Sequence, residues 1–108
     1  MWQMADPGTV TLPHVDDDLH GVTMGTYFWM VEGAQLMVAW RRCDLHEDEV
    51  LRDVARAAHP SLSRLESVPS LTLLRAEAGD VICIPKDAVH MVVTETRKVQ
   101  LAYHVYEV

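Results

Sequence analysis

Basic residues are scarce in this chain: nine Lys and Arg stand against sixteen Asp and Glu, for a net charge of −7 and a pI near 5.2. Phosphate binding needs a cationic surface, so the balance argues against direct binding of nucleic acid or an anionic membrane, and it tolerates a basic protein or peptide as partner. No run of eighteen apolar residues occurs, so no segment is expected to span a bilayer. Met1 to Asp6 lacks the basic and apolar regions of a signal peptide, and an intracellular protein is expected, in cytoplasm or nucleus. Cysteine is limited to Cys43 and Cys83, with no Cys-x-x-Cys pattern, which gives little support to a zinc or disulfide framework. Cys83 falls in an apolar run and is expected to be a buried small hydrophobe, and Cys43 an exposed thiol. Internal repeats and low-complexity tracts are absent.

What is present is enough for one small domain over residues 1–108. Apolar residues make up 49% of the chain, sufficient for a core at a length that buries roughly two thirds of the unfolded surface. Residues 1–8, with Pro7-Gly8, read as a lead-in, and Thr9 to Pro13 as a strand running into His14-Val15-Asp16. Asp17 to Gly21 is a polar loop. The aromatic and β-branched runs Thr26–Val31 and Gln35–Trp40 flank Glu32-Gly33 and predict a hairpin. Asp44 and Glu47 have capping-box spacing, Val50, Leu51, Val54 and Ala58 recur at helical spacing, and His59-Pro60 ends the segment. This predicts one helical insertion over about 45–59. After a connector with a short turn near Leu62–Leu65, four strands are expected: Leu71–Ala76, Val81–Ile84, Val89–Glu95 and Val99–Glu107, with Thr96-Arg97-Lys98 turning the last pair. Strands on both sides of one helix predict a small β-barrel or sandwich.

Chemistry concentrates at two places. In an extended segment the side chains of residues i and i+2 share a face, so His14 and Asp16 present an imidazole and a carboxylate side by side. A third ligand must come from elsewhere, and His90 stands at the mouth of another strand. Two histidines and one carboxylate form the facial set favoured by non-haem Fe(II), which leaves positions open for small molecules. His20 is an alternative ligand; His46 and His59 flank the helix and read as structural.

The unit Gly79-Asp80, four apolar residues, Pro85, four further residues and His90 resembles the second metal motif of the cupin superfamily. More narrowly, it resembles the C-terminal part of a Jumonji-C (JmjC) domain. His14-Val15-Asp16, the run Thr26–Gly33 and the strand Gln35–Trp40 are similar to that family's first ligand motif and the hairpin after it. The resemblance spans roughly residues 9–107. It implies a double-stranded β-helix, the cupin or jelly-roll barrel, with Fe(II) as metal, 2-oxoglutarate as co-substrate and oxygen-dependent hydroxylation of a protein or small-molecule substrate. The outcome is demethylation where the hydroxylated carbon is an N-methyl group. His14, Asp16 and His90 match the metal ligands, and no separate catalytic residue is implied.

Two residues after the hairpin glycine the family typically carries a lysine that pairs with the far carboxylate of 2-oxoglutarate. Here that position is Gln35, and Lys98 or Arg97 substitutes only if the final turn folds towards the pocket. Thr23, Thr26 and Phe28 are candidates to line the co-substrate pocket. His104 and Tyr106 share a face of the last strand with Gln100 and Ala102, and would support the metal ligands by hydrogen bonding if that face points inward. Jumonji-C domains usually carry further strands and helices before the His-x-Asp, so the chain reads as a minimal or N-terminally truncated module. Dimerisation is one way to cover the sheet edge this leaves. The alternative function is a metal-binding, catalytically degenerate domain of the same type that serves as a binding module.

Overall fold

A computed structural model describes residues 1–16, 23–56 and 65–106, apart from the side chains of Thr23, Met24, Val54 and Tyr106. In chain order its elements are β1 (Trp2–Ala5), β2 (Val10–His14), β3 (Thr23–Arg41), α1 (Glu47–Arg56), β4 (Thr72–Glu77), β5 (Val81–Pro85) and β6 (Ala88–Tyr106). The chain is mainly β, with every strand pair antiparallel and one short helix between β3 and β4. No helix among the described residues is long and apolar enough to cross a membrane.

Neither hairpin predicted from the sequence forms. β3 runs straight through Gly33, and β6 runs straight through Thr96-Arg97-Lys98. The two strands, each of 19 residues, pair with one another from Thr23↔Tyr106 to Arg41↔Ala88. Register slips between Met30 and Gln35 show where the ribbon bulges, and unpaired residues there bend it. Gly33 sits in the bend at φ 88°, and a Cβ on it would run into the carbonyl oxygen of Arg97. A glycine between two β-forming runs suits a turn or a bulge equally well, because both need the same backbone freedom. The long-range partner decides between them, and each long strand has the other.

The bend gives the ribbon two arms. On one, β6 is flanked by β1 (Trp2↔Leu101) and β3 by β5 (Trp29↔Val81). On the other, β6 is flanked by β2 (Val10↔Val93) and β3 by β4 (Leu36↔Arg75). Residues 1–8 are therefore not merely a lead-in, since β1 is an edge strand and only the turn at Pro7-Gly8 separates it from β2. Phe28, Met30, Ile82, Ile84 and Ala102 of the first arm pack with Met37, Ala76 and Val92 of the second in one core.

A second core lies on the outside of the β2–β6–β3–β4 arm. There Trp40 and Val89 pack with Leu45, Val50, Leu65 and Val68, so the helix and the turn at 65–68 cover that face. Buried Trp40 donates Nε1–H to the Leu45 carbonyl at 2.6 Å, which pins the chain where it leaves β3. The helix begins at Glu47, and the Asp44–Glu47 capping box is not made. Asp44 instead accepts from Ser70 Oγ (2.5 Å) and Arg41 Nε (3.3 Å), while Glu47 pairs with Arg42 at 2.8 Å. The expected helix end at His59-Pro60, the turn at Leu62, and the loop 17–21 with His20 lie outside the described residues.

β5 corrects one burial expectation. Its faces alternate, with Ile82 and Ile84 inside and Val81, Cys83 and Pro85 outside. Cys83 is thus exposed, and so, as expected, is Cys43. An apolar strand in a sheet with one open face keeps only every second residue from water.

Candidate metal centre

β2 and the start of β6 lie side by side, and their register places His14 directly opposite His90. The imidazole rings lie 4.2 Å apart between centroids, and the chain leaving β2 brings Asp16 against both. Asp16 Oδ1 is 3.5 Å from His14 Nε2 and 3.6 Å from His90 Nε2. One ligand atom from each of the three residues falls within 4.8 Å of the others.

Hydrogen bonding on the far side of each ring sets the chemistry. His14 Nδ1 lies 2.8 Å from the Leu12 carbonyl, and His90 Nδ1 lies 3.2 Å from the Ala88 carbonyl. A carbonyl can only accept, so each neutral ring carries its proton on Nδ1 and turns the Nε2 lone pair towards Asp16. Two lone pairs and a carboxylate then face one point, an arrangement that calls for a cation. The 3.5 and 3.6 Å separations are long for N–H···O hydrogen bonds. They are close to the spacing of two ligands that each stand about 2.0–2.2 Å from a shared ion. Asp16 Oδ2 is also buried and lacks a hydrogen-bond partner. The residues fit a divalent metal.

Burial works against ionisation of Asp16, but the imidazoles of His14 and His90, when they carry a proton on Nε2, and the Thr26 hydroxyl outweigh it and hold the carboxyl below its ordinary value. Burial pushes His90 below its ordinary value, more than the Asp16 charge raises it, which keeps the ring neutral and able to ligate. His90 is 1% exposed and meets the Phe28 ring edge-on at 6.2 Å between centroids.

A cavity of about 290 Å³ opens beside the triad. His14, Asp16, His90, Phe28 and Val92 line it with Thr9, Thr11, Gln3, Gln100 and Lys98. Lys98 was read from the sequence as part of a turn. As a residue of β6 it points inward instead, 5% exposed, and burial lowers its pKa. Its Nζ donates to Gln35 Oε1 at 2.5 Å, and Gln35 is itself fully buried. Gln100 Nε2 donates to Gln3 Oε1 at 2.5 Å. Gln35 Nε2 and Gln100 Oε1 are buried without partners, so polar valence remains unsatisfied around the lysine. Arg97 stays on the surface.

The other candidates are placed less centrally. Gln35 stands behind Lys98 and does not line the cavity. Phe28 does line it. Thr26 is buried on the other side of Asp16, beside a small space of about 60 Å³ that it shares with Val15, Gly25 and Ile84. The Thr26 hydroxyl and His104 Nδ1 share a hydrogen bond of 3.1 Å, so exposed His104 touches Asp16's neighbour and not the cavity. The side chains of Thr23 and Tyr106 lie outside the described set. Lys98, Gln100 and Gln3 are what sequence reading missed as a cluster. The even spacing of His90, Lys98 and Gln100 along one strand was the available signal, hidden by the predicted turn. No protein-family model matches the chain, and no curated protein is significantly similar to it.

Proposed function

We propose that the chain is a double-stranded β-helix domain of the Jumonji-C type, an Fe(II)- and 2-oxoglutarate-dependent oxygenase that hydroxylates a protein or small-molecule substrate, with demethylation as the outcome on N-methyl groups. The observation that carries the proposal is the joining, in one cavity, of a His-Asp-His group with a buried lysine. The ribbon of β3 and β6, bent so that each strand serves two arms, supports the architecture. His14, Asp16 and His90 would hold the metal by one face, which suits Fe(II). Iron with 2-oxoglutarate would supply the oxidising chemistry with molecular oxygen. The chain's own residues do the rest. Lys98, held from behind by Gln35, would receive the carboxylate furthest from the metal. Phe28 and Val92 form an apolar wall that limits water, and the Nδ1 bonds to Leu12 and Ala88 keep both imidazoles in the ligating tautomer.

A second proposal, a metal-binding domain that does not turn over 2-oxoglutarate, is favoured by the Lys98–Gln35 bond, which already engages the lysine the co-substrate requires. One experiment separates the two. Succinate formation is measured with Fe(II), 2-oxoglutarate and oxygen, alongside calorimetric titration of 2-oxoglutarate into the metal-loaded protein. Turnover that disappears in Asp16→Asn supports the oxygenase. Stoichiometric metal with neither turnover nor 2-oxoglutarate binding supports the binding module. Equal metal content in wild type and Asp16→Asn rejects both.

A further inference from the structure

The two arms of the folded ribbon differ in what covers them. Helix α1 and the 65–68 turn lie over the outside of the β2–β6–β3–β4 arm. Nothing among the described residues covers the outside of the β1–β6–β3–β5 arm. Strand register lays Trp2, Leu101, Trp29 and Val81 in one row across all four strands of that face. Tyr103, Tyr27 and Cys83 form the next row, and the two tyrosine rings stack 5.5 Å apart at 9°. Val105 and Pro85 continue the face, and Met4 and Val99 extend it towards the bulge, where Glu32 stands at the rim.

Side-chain charge is absent from these rows, and the Met1 ammonium at their edge donates to the Ala102 carbonyl. A chain with sixteen acidic and nine basic residues places none of them among the Trp2 and Tyr103 rows. Trp2 is 62% exposed, Val81 56%, Trp29 46% and Tyr103 43%. At about 200 Å² per aromatic side chain, Trp2, Trp29 and Tyr103 alone open about 300 Å² of this face, and exposed Val81, Met4, Cys83 and Pro85 widen it. The largest patch on an ordinary monomer is about 300–600 Å², and a standard interface takes about 800 Å² from each partner.

We propose that this face is the two-fold interface of a homodimer. Its neutrality points to a second copy of this chain as the occupant. In an isologous interface each side chain meets its own counterpart or a near neighbour, so any charge near the axis would face a like charge. Each copy carries −7, and an uncharged face lets two such copies approach with least repulsion. Flat β-sheet faces with offset aromatic rings pack well against one another. β6 turns alternate residues to opposite sides, with His90, Lys98 and Gln100 towards the cavity and Leu101 and Tyr103 towards the proposed interface, and Met4 marks where the two regions adjoin. The proposal stands independently of the oxygenase chemistry.

Sedimentation equilibrium and thiol labelling of the full chain test it. The expected wild-type mass is twice 12.2 kDa, with self-association strengthening as added salt screens the repulsion. Trp29→Glu at the centre of the face and Val81→Lys on its edge strand are each expected to weaken association at least 100-fold while keeping the wild-type circular dichroism. Cys83 and Cys43 are both exposed in the protomer, so they give an internal comparison. A maleimide is expected to label Cys83 at least tenfold more slowly than Cys43 in wild type, and at similar rates in the monomeric variants. Wild type that is monomeric at about 100 μM overturns the proposal and leaves the face to a different partner. A dimer that survives both substitutions with Cys83 freely labelled also overturns it.

Discussion

Lys98 and Gln35, 63 positions apart in sequence, share a buried hydrogen bond of 2.5 Å beside the cavity that holds His14, Asp16 and His90. The charge that the Jumonji-C resemblance would put on β3 at position 35 is thus supplied across the ladder from β6.

This exchange predicts a swap. Hydrogen bonds to charged groups are worth about 1.5–3 kcal/mol, so Lys98→Gln should weaken 2-oxoglutarate binding by roughly 10- to 100-fold in calorimetry. Gln35→Lys alone should not strengthen it. A second ammonium beside Lys98 would be buried without a counter-charge, at a cost of about 3 kcal/mol, visible as a fall in Tm. The double variant Gln35→Lys/Lys98→Gln should recover both Tm and binding. Recovery of neither would show that position 98 matters for a reason other than its charge.

Metal should stabilise the fold as well as occupy it. At a free metal concentration of 100 Kd the linkage is about 2.7 kcal/mol, and each kcal/mol moves Tm by roughly 4–8 °C in a domain near this size. Fe(II) under anaerobic conditions, or Mn(II) as a redox-inert substitute, should raise Tm by about 10 °C or more and a chelator should reverse it. Asp16→Asn should remove the effect. Asp16 is the best-suited single substitution, because Asn keeps its shape, whereas truncating His90, 1% exposed, would also open the core.

Acid should destabilise the chelator-treated protein in two stages. His90 has its folded-state pKa below the ordinary 6.5. The unfolded chain therefore takes up the proton first, and stability falls as pH drops below about 6.5 towards the folded value. Asp16 is depressed below 3.8. Its contribution is complete above 3.8 and is lost as pH falls through the folded value. Tm measured from pH 8 to 3 should show both declines, and Asp16→Asn should make the lower one smaller, leaving the share of Asp44, whose carboxyl the Ser70 hydrogen bond also holds down. A flat Tm between pH 7 and 5 would contradict the buried neutral His90.

Gly33→Ala should be among the most damaging single changes. The position combines φ 88° with a Cβ that would strike the Arg97 carbonyl. Backbone strain of this type costs about 1–3 kcal/mol before any clash. Gly79→Ala, with φ 96° but open space around it, should cost less. Denaturant midpoints of the two variants check the order.

The His14-Asp16-His90 group was legible in the sequence and the ribbon was not, for one physical reason. His14-x-Asp16 and the strand unit ending in His90 declare themselves through local spacing, and local spacing survives folding. Gly33 and Thr96-Arg97-Lys98 looked like turns because a bulge and a turn recruit the same residues, and only a partner strand tells them apart. That misreading left the access of Lys98 to the pocket open and split one strand into two. Cys83 was misplaced because a run of apolar residues does not reveal whether both faces of its strand are covered.

One feature of β6 bears on how such a pocket changes over time. His90 and Lys98 lie on the same unbroken strand, eight residues apart and on the same face, so under the proposed function the strand would work as a ruler for a ligand between them. Its graduations are two residues, about 6.6 Å of extended chain. A one-residue insertion between His90 and Lys98 would turn the lysine out to solvent, while a two-residue insertion would keep it inside and accept a longer ligand. Under the proposed function, the pleat would therefore set ligand length in steps of two residues.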